Sequence, residues 1–165
     1  MTHLFIATIL TALALGGPGE ILTNRDFENN EDHMTGWTVR EGTSSIEDAE
    51  PVHPSTPHYL KVKATTGTTV TNDCGGGVRV RKEEILELNI HVKTSARGKM
   101  VVLLIAEDGS IVGANSVNIR KGNWRSYKIG VQAQKASEKC WVDIVLPPGT
   151  VCLDAASLVS TDNYK

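Results

Sequence analysis

The chain predicts an all-β fold, a β-sandwich of two antiparallel sheets, and three observations carry that expectation. Apolar and polar residues alternate over short runs, the runs recur every 8 to 15 residues between Gly, Pro, Asn and Asp, and no stretch joins a helical period to caps. A length of 165 residues suits one sizeable core. The formal net charge of -2 gives no sign of the clustered basic face that nucleic acid calls for.

Taken in order, the first element has two readings. Leu4 to Leu15 is an apolar run of signal-peptide length, with Ala12-Leu13-Ala14 as a small-residue cleavage site, yet no Lys or Arg precedes it. It is too short to span a bilayer comfortably, and no membrane partner is expected. Residues 1–16 are therefore either a signal peptide, which would make the protein secreted or periplasmic, or a remnant strand. Gly16-Gly17-Pro18-Gly19 then breaks regular structure where the folded domain, 17–165, begins.

Ile21 to Glu28 reads as a short first strand leading into an acidic, Asn-rich loop. Pro51, Pro54 and Pro57 impose an irregular loop until Tyr59 to Lys63 alternates as a strand, and the Thr-rich stretch Thr65 to Asn72 suits a hairpin. Three glycines follow Cys74, but no Lys-Ser or Lys-Thr and no helix come after them, which argues against a phosphate loop. Leu86, Leu88, Ile90 and Val92 alternate with Glu87, Asn89, His91 and Lys93, a strand with one core face and one polar face. Met100 to Ala106 is apolar on both faces and should be central and covered. Asp108-Gly109 turns it back into Ile111 to Ile119, and Trp124 to Val131 supplies Tyr127, Ile129 and Val131 to one face.

The stretch Lys139 to Leu158 reads as two strands joined by a tight turn at Pro147-Pro148-Gly149-Thr150. Cys140, Val142, Ile144 and Leu146 point to the core, while Trp141, Asp143 and Val145 point away. An indole beside a carboxylate on an open sheet face is suited to sugar: the flat ring stacks on a pyranose and the acid accepts from its hydroxyls. Glu87, Asn89 and His91 are the polar side chains expected to join Trp141 and Asp143 in ligand binding. The alternative is that Trp141 covers the sheet edge or packs under a loop.

Other chemistry finds little support. No GxSxG, HExxH, Walker or dinucleotide signature is present, and the five histidines show no metal-ligand spacing on one element. Any pair of acids could be put forward as catalytic carboxylates, so catalysis by this chain is not expected. Cys74, Cys140 and Cys152 form neither a full disulfide framework nor a zinc site and read as small buried apolar residues. If the first and last strands are neighbours, Glu28 and Asp154 could share a hard cation with backbone carbonyls.

Asn24-Arg25-Asp26-Phe27-Glu28 followed by Gly36-Trp37 resembles the opening of carbohydrate-binding modules of families 4, 9 and 22. The likeness continues through Pro57-His58-Tyr59-Leu60, Trp124-Arg125-Ser126-Tyr127 and Pro148 to Leu158, and is closest to the module embedded near the N-terminus of family 51 α-L-arabinofuranosidases. It spans about Gly16 to Lys165. The resemblance implies a jelly-roll, galactose-binding-domain-like sandwich, with structural calcium (Ca2+) held partly by Glu28 and Asp154. Ser160 stands where the family has Pro, and Cys74 to Gly77 replaces an aromatic-containing loop. A catalytic barrel of about 250 residues cannot fit in this chain. The expected function is thus a non-catalytic module that binds a polysaccharide or oligosaccharide such as arabinoxylan, beside a glycosidase catalytic domain. The alternative is a structural sandwich that packs on such a domain and binds no sugar.

Overall fold

A computed structural model describes residues 19–29 and 32–161, so the run 4–15 and the end of the resemblance at 162–165 lie outside the described residues. No α-helix occurs among them. The strands are β1 (Trp37–Arg40), β2 (Thr43–Glu47), β3 (Tyr59–Ala64), β4 (Thr68–Asn72), β5 (Val78–Val80), β6 (Ile85–Thr94), β7 (Gly98–Ala106), β8 (Ile111–Ile119), β9 (Gly122–Gln132), β10 (Ser137–Leu146) and β11 (Gly149–Ser160).

Two antiparallel sheets share one core. The five-stranded sheet runs β2-β3-β11-β6-β9, and the six-stranded sheet runs β1-β4-β10-β7-β8 with β5 also against β10. Alternation decides what each strand buries. Leu86, Leu88, Ile90 and Val92 of β6 and Cys140, Val142, Ile144 and Leu146 of β10 all enter the core, together with Met100, Val102 and Leu104 of β7. Only β2–β3 and β7–β8 pair as sequence neighbours; most other connections carry the chain from one sheet to the other. Gly75, Gly76 and Gly77 all have positive φ, 68° to 110°, and step the chain from β4 to β5 along the same partner strand.

Three local expectations are corrected. The stretch 139–158 holds two strands, but β10 lies between β4 and β7 while β11 lies between β3 and β6 in the opposite sheet. Pro147 and Pro148 therefore bridge the sheets; neither has an N–H to give a hairpin ladder, and the crossing lets two apolar strand faces pack on each other. The stretch 65–72 is likewise no hairpin, because β3 and β4 belong to different sheets. The segment Ile21 to Glu28 is not a strand: only Glu20 bridges the sheet, at Val159. Asn24 and Phe27 adopt φ of 46° and 58°, and the resulting coil drives Phe27 fully into the core, its ring 5.2 Å from that of Trp37. The Trp37 indole N–H donates to the Asn24 carbonyl at 2.8 Å, closing the coil. Burying two aromatic rings outweighs one more strand pairing at the sheet edge.

Candidate functional site on two opposite sheet faces

The polar row of β6 lies on the outer face of the five-stranded sheet. There Glu87 pairs with Lys128 at 2.8 Å, which holds its carboxyl below the usual range, and the Asn89 amide donates to Glu87 at 3.4 Å. The segment 48–57 folds over the remainder of this face. The Trp124 indole N–H donates to the Glu50 carbonyl and the Tyr59 hydroxyl to the Ala49 carbonyl, both at 2.8 Å, with the two rings edge to face at 5.2 Å. Lys93 bonds Glu50 at 2.7 Å, and His53 rests against His91, ring centroids 5.9 Å apart. Aromatic side chains here are clamped beneath a loop, and burial pushes the His91 imidazole pKa down, with the His53 charge adding to it.

At one end of this covered face Asp154 stands opposite His91 in the β11–β6 register and is fully buried. Its Oδ1 accepts from the Ala155 N–H at 2.6 Å and the Val52 backbone N–H approaches the carboxyl, while Oδ2 and His91 Nδ1 make no hydrogen bond of good geometry among the described residues. Burial raises the Asp154 pKa to about 7, and the nearby charges of Asp26 and Glu28 add to the rise. Glu28 is engaged differently: its two oxygens take the His58 N–H at 2.6 Å and His58 Nδ1 at 2.7 Å. The two carboxylates come near each other through a coil and not through the neighbouring first and last strands expected from the sequence. Among the described residues no three His, Cys, Asp or Glu side chains converge as a metal cluster.

Trp141 and Asp143 lie on the outer face of the six-stranded sheet, on the far side of the sandwich. In register, Trp141 faces Ile105, Asp143 lies between Leu103 and Thr71, and Val145 lies between Val101 and Thr69. Trp141, Val101, Leu103 and Val145 are half-buried and Ile105 is nearly covered, which makes an apolar strip along β7 and β10. Asp143 is its polar border: the Thr71 hydroxyl donates to Oδ1 at 2.6 Å, and the Arg40 guanidinium stands 3.9 Å from Oδ2. The buried indole N–H of Trp141 has no partner among the described residues.

The five side chains expected to bind one ligand together are therefore split. Trp141 and Asp143 share one face, whereas Glu87, Asn89 and His91 share the other, because β10 and β6 belong to different sheets with outward sides pointing apart. Alternation assigns a side chain to inside or outside but not to one of two outsides. Thr71, Arg40 and Leu103 were not foreseen as neighbours of Asp143. The one signal for the strip was the apolar character of both faces of Met100 to Ala106.

No protein-family model matches the chain, and no curated protein matches it. Solved structures do. An arabinose-bound GH51 α-L-arabinofuranosidase superposes with a TM-score of 0.76 at 17% identity, covering 86% of this chain and 26% of that one. The chain thus spans about a quarter of that enzyme's length. The CBM22-1 xylan-binding domain from Paenibacillus barcinonensis matches with a TM-score of 0.63 at 16% identity over 86% of this chain and 95% of its own. A CBM4 structure matches with 0.53 at 12% identity over 85% and 99%. At these identities the likeness speaks for the fold: the chain is a jelly-roll β-sandwich of the kind that carbohydrate-binding modules have.

Proposed function

We propose that the chain is a non-catalytic carbohydrate-binding module that serves a glycosidase of α-L-arabinofuranosidase type. Its ligand class is plant cell-wall polysaccharide such as arabinoxylan, and a secreted or periplasmic location goes with that role. The observation that carries this reading is Trp141, a half-buried indole on the outer face of the six-stranded sheet, bordered by the Asp143 carboxylate. The aromatic residues of the opposite face, Trp124 and Tyr59, are tied to the 48–57 loop. A second reading is favoured by the strip of Val101, Leu103, Ile105 and Val145: the same face packs on a catalytic domain and binds no sugar.

Titration with xylan and arabinan fragments separates the two. Trp141→Ala should abolish glycan binding and leave the melting temperature within a few degrees of wild type, because the indole packs outside the core. No glycan binding by wild type, or global unfolding of Trp141→Ala, would give the face to packing.

Calcium belongs to the same proposal. The buried Oδ2 of Asp154 near the Glu28 carboxylate is a donor pair of the charge a hard cation takes, and backbone carbonyls would supply the other ligands.

A further inference from the structure

At the far end of the Trp141 face the strands β7 and β8 border a groove of about 630 Å³ lined by Arg97, Gly98, Lys99, Asn118, Ile119 and Arg120. Lys99 and Asn118 are directly opposite in the β7–β8 register, and Lys99 lies on the same outer side as Val101, Leu103 and Ile105. Gly98 of this lining abuts the link between the sheets: a Cβ there would come within 2.4 Å of the Pro147 ring. Arg97, Lys99 and Arg120 are exposed, and none of the three pairs with a carboxylate among the described residues. Lys121 adds a fourth exposed cation beside them. In a chain of net charge -2 these cations are clustered, whereas seven described cations elsewhere, Arg25, Arg40, Lys61, Arg79, Lys93, Lys128 and Lys139, are matched with acids.

We infer that this groove binds the carboxylates of an acidic glycan, a polysaccharide that carries uronic acid residues. The inference rests on the glycan-binding reading of the same face and names its substrate class. Guanidinium forks match a planar carboxylate with two parallel hydrogen bonds, and the Asn118 amide can bond the neighbouring hydroxyl. Trp141 pairs with Ile105, six residues along β7 from Lys99, so the stacking ring and the basic groove are about 20 Å apart along the strand. One extended glycan can therefore lie on both, a neutral ring over Trp141 and acidic units over the groove. A single sugar cannot.

The test is affinity electrophoresis and calorimetric titration of the whole chain with polygalacturonate, its carboxyl-reduced counterpart, neutral arabinoxylan fragments and single-stranded DNA. Wild type should prefer polygalacturonate to the carboxyl-reduced polymer by roughly tenfold or more, and the preference should shrink with added salt. The triple variant Arg97→Gln, Lys99→Gln, Arg120→Gln should lose that preference at an unchanged melting temperature, and its neutral-fragment binding should match wild type. Equal binding of the two polymers, an unchanged preference in the triple variant, or DNA bound as tightly as polygalacturonate would each overturn the inference. If neutral fragments do not bind but polygalacturonate does so selectively through the three cations, the groove stands and the stacking role of Trp141 falls.

Discussion

Asp154 shows how a single side chain couples the fold to its solution. Its pKa rises from 3.8 to about 7 because the carboxyl is buried, so the folded chain holds that proton more tightly than the unfolded one. Asp154 therefore favours the fold fully below about pH 4, and that contribution fades as the pH rises through about 7. The loss is at most roughly 4 kcal/mol. In chelator, wild type should melt progressively lower between pH 5 and pH 8, while Asp154→Asn should stay nearly level. Calcium should restore the wild type at pH 8 and do nothing for Asp154→Asn, since a ligand of the folded state stabilises by mass action. Calorimetric melting at both pH values checks this; protein shown to start calcium-loaded that melts identically with and without chelator removes the cation.

Among the elements, the link from β10 to β11 governs where the site lies. Pro147 and Pro148 send β11 to the opposite sheet, and that crossing leaves Trp141 on a face where β7 and not β11 is its neighbour. The close approach of Pro147 to Gly98 anchors the crossing to the start of β7. Gly98→Ala should cost about 1–3 kcal/mol of stability, because the added methyl overlaps the proline ring and one backbone must shift. A lower urea midpoint with an unchanged slope is the expected result; an unchanged midpoint would mean the crossing is not anchored there. The strand alternations of β6 and β10 were legible because each buries one face; β7, apolar on both faces, is central as expected, but its outer Val101 and Leu103 are only half-buried. The coil at Ile21 to Glu28 was not, because nothing local announces that Phe27 will seek the Trp37 ring at the price of its strand geometry.

For the whole molecule, the three free cysteines report on one cooperative core. Cys74, Cys140 and Cys152 are all buried, and burial raises each thiol pKa, that of Cys74 to about 12. A thiol reagent at pH 8 should leave native protein unlabelled and label all three together in urea, with the midpoint at which tryptophan fluorescence changes. Reductant should not move the melting temperature. Labelling of one cysteine well before the others would show that its part of the sandwich opens separately.

What the sequence determined by itself is local: that the long alternating runs such as β6 and β10 are strands, which side of each is apolar, that the cysteines are buried, and that Trp141 and Asp143 point away from the core. Those properties follow from a period of two and from Gly and Pro punctuation, both of which act over a few residues. Only the tertiary structure decided which strands are neighbours. It set Glu87, Asn89 and His91 against the 48–57 loop on one side of the molecule, and Trp141, Asp143, Thr71 and Arg40 on the other. It also aligned the Arg97, Lys99 and Arg120 groove with the Trp141 face. The physical reason is that a sandwich has two outer faces with the same alternation, and the choice between them is made by packing between residues far apart in the chain.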